Sequence, residues 1–327
     1  MTPTTWPLLL GGLWVQKLPR RESGVIGPLS SFFHPGVSVT RVVLAVAIFL
    51  GSVEVMAMPA VAGAVSGSTT TSPPLPVWQT AWTSPMDFDA GVADNATARD
   101  IAQVAIGGTS IELTLSNLWS NTATTFGSVT VGIQQSGAAV VPGSIMPVTF
   151  GNSRSVTIAA NASVTSDPVD MAVYAGESLS VSLSEIGPAT VSVHFCCAGR
   201  IDSYATSNGA GDLTNSPTAA GFNPTLASTN MRWLSAIAVS GSPAHGTVVA
   251  FGDSITEGFG YQNNGFGWPS ALQARIAQLA PTQQVSVVNE GISGNTLTAF
   301  PPGTSYADTS GRAARSRPVG PGRTLTP

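Results

Sequence analysis

The 327-residue sequence is poor in charge: only 9% of its residues are Asp, Glu, Lys or Arg, and Lys17 is its single lysine. With a formal net charge of −4, the chain offers no basic face, which excludes nucleic acid as a partner. It has three histidines and two cysteines, without the Cys-x-x-Cys or clustered-histidine spacing of a metal site. We therefore expect neither a metal nor an organic cofactor.

The two cysteines, Cys196 and Cys197, are adjacent in the sequence. Neighbouring residues of a strand point to opposite faces, so a bond between these two side chains would be strained. We expect no structural disulfide. The simplest arrangement is one inward and one outward thiol on a strand, and intermolecular bridges are the alternative.

The N-terminal part of the chain has the layout of a secretory signal. Arg41 precedes the apolar run Val42–Leu50, and an Ala-x-Ala cleavage site follows at Ala60–Ala62. The run is too short to span a bilayer comfortably, and Glu54 interrupts its extension. We predict a cleaved signal peptide and a secreted protein without stable membrane insertion. An uncleaved signal that anchors the protein to the membrane is the alternative.

The signal peptide is predicted to occupy residues 41–62, between two segments without a fold of their own. Residues 1–40 show no structural pattern, which predicts an unstructured leader or a true start site near Val37 or Val39. Residues 63–76 are rich in Ser, Thr, Pro and Gly, as is typical of a linker.

From Val77 to His245 the apolar residues recur with a period of two, which is the period of half-buried strands. Turn-forming Gly, Pro, Asn and Ser separate the runs. This pattern predicts an antiparallel β-sandwich of jelly-roll type over residues 77–245. The clearest runs are Ile111–Leu115, Val129–Ile133, Val156–Ile158, Leu179–Leu183 and Val191–Phe195.

Four tryptophans of this region, Trp78, Trp82, Trp119 and Trp233, could form a platform on which sugars stack. Tryptophan in a sandwich more often lies in the core, so the core is the simpler interpretation. His194 alternates with Val193 and Phe195 along one predicted strand, which places it on the solvent side.

The most informative motif is Phe251–Gly258 (FGDSITEG), which directly follows the apolar run Thr247–Phe251. The run predicts a short buried parallel strand, and a glycine after it permits a sharp turn at the strand's carboxyl end. A serine on such a turn is how hydrolases present a nucleophile. Ser254 is therefore the candidate nucleophile, while Glu257 is interpreted as a solvated or helix-start carboxylate.

A second glycine-rich turn, Asn289–Thr296 (NEGISGNT), follows the apolar strand Val285–Val288. Between the two turns, Trp268–Leu279 predicts a crossover helix, because Trp268, Leu272, Ile276 and Leu279 recur at helical spacing to cover the sheet. Parallel strands joined by one crossover place their carboxyl ends on the same edge, so the two turns should lie side by side.

Together, the Gly-Asp-Ser of the first turn and Gly291–Asn295 (GISGN) resemble the first two blocks of the GDSL, or SGNH, family of serine esterases. The resemblance implies that Ser254 is the nucleophile and that its backbone N–H is one oxyanion donor. It implies a second donor at the backbone N–H of Gly294, with Asp253 and Asn295 as supporting residues. An α/β flavodoxin-like parallel sheet over residues 246–300 is also implied.

The family's later blocks do not occur in this sequence. They are an Asn in a Gly-x-Asn-Asp block, as third oxyanion donor, and an Asp-x-x-His block that supplies the general base. The histidines, His34, His194 and His245, all precede Ser254, and Asp308 has no histidine three residues on. A serine hydroxyl without a base is a weak nucleophile, which predicts an impaired site. We therefore expect a truncated catalytic domain, whose strands would have one bare face.

Residues 301–327 lack the apolar periodicity of a further helix or strand and contain four arginines, Arg312, Arg315, Arg317 and Arg323. This composition predicts a disordered, out-of-frame tail. A basic interaction tail is the competing interpretation.

The sequence thus predicts a secreted serine ester hydrolase, acting through an acyl-enzyme on short acyl esters or on acetyl groups of polysaccharides. A lipase or phospholipase of the same family is one alternative. A carbohydrate-binding sandwich with a vestigial catalytic segment is the other. Small-molecule or polysaccharide esters are the expected partners in either enzymatic case.

Overall fold

The computed structural model describes residues 76–195, 202–224, 230–258 and 267–295. All of these lie within one compact unit of the chain, residues 70–327. The predicted leader, signal peptide and tail, and the adjacent Cys196 and Cys197, lie outside the described residues.

The region from Trp78 to Ser240 is built from antiparallel strands. Their bounds are β1 Trp78–Thr83, β2 Phe88–Asp94, β3 Thr97–Gln103, β4 Ser110–Ser116, β5 Thr124–Ser136, β6 Ala139–Val140, β7 Met146–Pro147, β8 Val156–Ile158, β9 Ser163–Thr165, β10 Ser178–Glu185, β11 Pro188–Phe195, β12 Ser203–Ala205, β13 Asn223–Pro224, β14 Asn230–Arg232 and β15 Leu234–Ser240.

These strands form three sheets. One has the order β1-β15-β4-β9, a larger one has the order β13-β12-β3-β10-β5-β6 with β7 and β8 also paired to β5, and a small one has the order β14-β11-β2. Alternating Ile and Leu side chains of β4 and Leu and Val side chains of β10 meet in one buried core, to which β1, β11 and β15 also contribute. The predicted antiparallel β-sandwich is therefore confirmed.

At the centre of this core lies Trp233, which is fully buried between β14 and β15. Its ring meets Phe126 edge to face, with 5.2 Å between the ring centroids. Its indole N–H donates to the carbonyl oxygen of Thr190 at 3.1 Å. Trp233 is thus a core residue and cannot stack on a sugar. Trp78, Trp82 and Trp119 are half-buried.

The predicted strand–helix–strand crossover is present after His245. Strand β16 (Thr247–Gly252) pairs in parallel with β17 (Ser286–Gly291), and helices α1 (Ser254–Glu257) and α2 (Gly267–Ile276) and a 3-10 turn (Pro281–Gln283) lie between them in sequence. None of the helices in the described ranges is long and apolar enough to cross a membrane.

The parallel pair is attached to the sandwich along β1. Thr83 Oγ1 donates to the carbonyl oxygen of Asn289 at 2.9 Å, and Thr247 Oγ1 donates to that of Thr80 at 2.9 Å. The expectation of a bare sheet face is therefore wrong for β17, because strand β1 of the sandwich packs against it.

The prediction for the face of α2 is also wrong. Trp268, Leu272 and Leu279, expected to cover the sheet, are exposed, with Trp268 at 46%. The buried residue of this helix is Pro269. Gln273 instead joins α2 to both neighbours: its Nε2 donates to the carbonyl oxygen of Ala105, and its Oε1 accepts from the backbone N–H of Val287, both at 2.8 Å.

Candidate active site

The first glycine motif forms a tight turn from strand β16 into helix α1. Asp253 caps the helix, since its Oδ1 accepts the backbone N–H of Ile255 at 3.0 Å. Ser254 is the first residue of this four-residue helix, which ends at Gly258 in the left-handed region (φ 99°). Asp253 thus caps the first turn of α1, and Ser254 stands at the carboxyl end of β16.

The second motif begins beside the first. Gly252 and Gly291 are direct partners in the parallel ladder, and the backbone N–H of Ile292 donates to the carbonyl oxygen of Gly252 at 3.1 Å. The chain then turns through Gly294, whose φ of 76° favours glycine. The two turns therefore lie side by side, as expected from the crossover.

Close contact between the turns explains one of the glycines. A Cβ at Gly291 would collide with the backbone nitrogen and Cα of Glu257 in α1. Backbone cannot move aside as a flexible side chain can, so any larger residue would push α1 off the end of β17. Gly291 thereby fixes the separation of the two turns.

Two backbone donors are available at this edge. No hydrogen bond within the described residues uses the N–H of Ser254 or that of Gly294. Unpaired donors that are fixed before reaction are what stabilises the oxyanion of a tetrahedral intermediate. Both N–H groups implied by the family resemblance are therefore without a hydrogen bond to any described residue.

A base for Ser254 is a different matter, because no described side chain hydrogen-bonds to its Oγ. His245 precedes β16, so the six-residue strand separates it from Ser254 by about 20 Å. His34 lies outside the described residues. His194 is held elsewhere, by Asp87: the distance from its Nδ1 to Asp87 Oδ2 is 3.4 Å.

The interpretation of His194 as a solvent-side residue is wrong. Val191–His194 are all buried, so β11 is covered on both faces and alternation no longer identifies a solvent side. Burial by itself would lower the pKa of the His194 imidazole, but the carboxylates of Asp87, Glu257 and Glu290 outweigh it and raise that pKa.

Glu257 is not solvated either, although it does lie in the first turn of α1. Its Oε2 accepts a hydrogen bond from Ser293 Oγ, so its carboxylate connects α1 to the second turn. Burial raises the pKa of Glu257, and His194 and Ser293 offset only part of that rise. The signal that could have indicated this contact is the serine of the second motif, whose hydroxyl needs a partner once the turns are adjacent.

A cavity of about 290 Å³ lies between the sandwich and the α2–β17 face, and Trp82, His194, Glu257 and Gln273 are among the residues that line it. Ser254 and Gly294 do not line it, so the cavity is not the place where the nucleophile would act. Among the described residues, no group of three or more His, Cys, Asp or Glu is arranged to hold a metal ion.

In a comparison with known protein families, a family described as GDSL-like Lipase/Acylhydrolase matches residues 248–315. The matched segment starts within β16, includes both glycine-rich turns and extends past Asn295, the last described residue. No curated protein matches the chain.

Proposed function

We propose that this chain carries the acyl-transfer site of a serine ester hydrolase, because residues 248–315 match the family described as GDSL-like Lipase/Acylhydrolase. The observation that carries the proposal is the pairing of Gly252 with Gly291, which brings the Ser254 turn beside the Gly294 turn. The first turn presents a nucleophile, and each turn has a backbone N–H that hydrogen-bonds to no described residue. Acyl transfer needs this combination.

In the proposed reaction, Ser254 Oγ attacks the ester carbonyl carbon and the carbonyl oxygen becomes an oxyanion. The N–H groups of Ser254 and Gly294 stabilise that charge, and loss of one such donor typically slows catalysis about 100- to 1000-fold. Collapse expels the alcohol, which takes up the proton lost by the serine. Water then hydrolyses the acyl-enzyme, releasing the acid and restoring the hydroxyl.

The serine proton must be removed during the attack, and no described group hydrogen-bonds to Ser254 Oγ. We therefore propose that the 327-residue chain hydrolyses esters no faster than its Ser254→Ala variant, because its nucleophile and oxyanion donors lack an engaged base.

For the substrate we propose short acyl esters, including acetyl groups on polysaccharides. Ile255, next to the nucleophile, is 68% exposed and offers an apolar contact for a small acyl group. Stacking of a sugar on the sandwich is not supported by its tryptophans, since Trp233 is in the core and the three others are half-buried.

The proposed location is extracellular, after cleavage of the signal at residues 41–62. N-terminal sequencing of exported protein should begin at or near Gly63. Exported protein that still begins with Met1 would contradict this proposal.

Covalent labelling tests the acyl-transfer site independently of turnover. The purified chain is treated with a fluorophosphonate, with imidazole added as an external base, and the modified peptides are identified by mass spectrometry. We expect Ser254 to be modified in preference to the chain's many other serines, and the Ser254→Ala variant to lose that label. A label spread over surface serines with no preference for Ser254 would contradict the proposal.

A further inference from the structure

Four ionisable side chains are buried together where the sandwich meets the nucleophile turn. Asp87 is 6% exposed, His194 5%, Glu257 1% and Glu290 4%. They come from four places in the fold: the segment before β2, strand β11, helix α1 and strand β17. Two belong to the sandwich and two to the hydrolase segment, so their interactions cross the junction.

Charge balance makes His194 the group on which this cluster depends. Three buried carboxylates repel one another, and each loses hydration, so a cation among them is favoured. The Asp87 carboxylate approaches the imidazole to 3.4 Å, and His194 and Glu257 line the same cavity. The charges of Asp87, Glu257 and Glu290 all raise the pKa of His194, so an imidazolium at this place is favoured by one sandwich carboxylate and two carboxylates of the hydrolase segment.

From Glu257 the interactions continue into the second turn. Ser293 Oγ donates to Glu257 Oε2, and Gly294 is the next residue. The side chain of Asn289 also donates to the carbonyl oxygens of Thr256 at 2.8 Å and of Glu257 at 3.2 Å. The carboxylate of Glu257 thus sets the place of the turn that presents the Gly294 N–H.

We propose that His194, held by Asp87, is a positioning residue of the hydrolase site: it fixes the Glu257 carboxylate, which holds Ser293 and thereby the backbone N–H of Gly294. The proposal rests on the proposed function for the meaning of that N–H. It gives the sandwich a direct part in shaping the oxyanion turn. His194 is not the base in this arrangement, because no described side chain hydrogen-bonds to Ser254 Oγ.

The first test is an NMR titration of the histidine ring protons in the full-length chain. His194→Gln identifies the signal among the three histidines. We expect His194 to titrate above the ordinary value for histidine, and its pKa to fall in Asp87→Asn and in Glu257→Gln. Asp89→Asn is the matched control, since Asp89 is exposed and lies two residues from Asp87. That variant should leave the pKa unchanged.

The second test is hydrogen exchange of the backbone in residues 291–295. Exchange should be about tenfold faster or more in His194→Gln and in Glu257→Gln, and unchanged in Asp89→Asn. In the parent, the protection should be present below the ordinary histidine pKa and be lost as pH rises through the raised pKa of His194. His194→Gln should lack this pH dependence.

A His194 pKa that is the same in Glu257→Gln, or exchange of residues 291–295 that is unaltered by both His194→Gln and Glu257→Gln, would overturn the proposal. If His194→Gln fails to fold, the His194 pKa and the exchange of residues 291–295 are compared between the parent, Glu257→Gln and Asp87→Asn. Neither readout uses ester chemistry, and Ser254→Ala should leave both unchanged. Failure of the fluorophosphonate labelling would therefore overturn the proposed function, while the His194 pKa and the exchange of residues 291–295 would still test the positioning role of His194.

Discussion

Asp100, on strand β3, is a fully buried carboxyl group in the middle of the sandwich. Its Oδ1 accepts from Ser203 Oγ at 2.7 Å and its Oδ2 from the backbone N–H of Arg232 at 3.0 Å. Burial raises the pKa of Asp100 from 3.8 to about 7, and these hydrogen bonds offset only part of the effect. One residue thus links the stability of the sandwich to pH.

The sign follows from proton binding. Between pH 3.8 and about 7, the unfolded chain has lost the Asp100 proton while the folded chain keeps it, so stability falls as pH rises. We expect the free energy of unfolding to drop across this window by on the order of 3–4 kcal/mol from this group, at about 1.4 kcal/mol per pKa unit.

Denaturant unfolding at several pH values measures this slope. In Asp100→Asn the free energy of unfolding should no longer decrease over this pH window. Asp89→Asn makes the same substitution at an exposed aspartate and should leave that decrease unchanged. An unchanged slope in Asp100→Asn would contradict the assignment.

At the scale of single elements, the side chain of Gln273 joins helix α2 to its neighbours, although an apolar face of the helix was expected to do so. Gln273 bonds the sandwich at Ala105 and the sheet at Val287. Removing it leaves a buried N–H and a half-buried carbonyl oxygen without a partner, and each unpaired group costs about 1–3 kcal/mol.

Gln273→Ala should therefore lower the free energy of unfolding by about 2–6 kcal/mol, since two groups lose their partner. The control is Gln278→Ala, which removes the same atoms from an exposed glutamine just after the helix. Equal stability of the two variants in denaturant unfolding would show that Gln273 does not hold α2.

Most elements could be predicted from the sequence because their signals are local. The run Ile111–Leu115 lies within β4, because a period of two requires only one covered face. The apolar run Thr247–Phe251 lies within the parallel strand β16, but Val248 of that run is exposed, so the strand is less buried than predicted. The face of α2 could not be predicted: helical spacing identifies an apolar stripe but not what covers it. Small and polar residues, Pro269 and Gln273, face the sandwich instead, and Trp268 stays exposed.

The same limit applies to the site. The two turns could be predicted because glycine and serine directly after an apolar strand are a local signal, and parallel pairing brought Gly252 and Gly291 together. The burial of His194 and Glu257 could not, since it arises from packing between segments far apart in sequence. The alternation along β11 predicted that His194 lies on the solvent side. This was wrong because both faces of that strand are covered.

In the molecule as a whole, the sandwich and the hydrolase segment share one compact unit. The predicted boundary after His245 separates antiparallel from parallel strands, yet Thr83 and Thr247 bond across it. The nucleophile turn is therefore assembled against the sandwich. Among the described residues, the chain has a serine on the first turn and two backbone N–H groups, of Ser254 and Gly294, without a hydrogen bond, while no side chain hydrogen-bonds to Ser254 Oγ.

Hydrolysis of an activated acetyl ester by the purified 327-residue chain, beside its Ser254→Ala variant, tests this combination most directly. Loss of the base in serine hydrolases lowers turnover by on the order of a millionfold, so we predict that the two proteins release product at the same rate within error. Turnover by the parent at ordinary enzyme rates, about 1 s⁻¹ or faster, with an inactive alanine variant, would show that a base does reach Ser254 and would contradict the prediction.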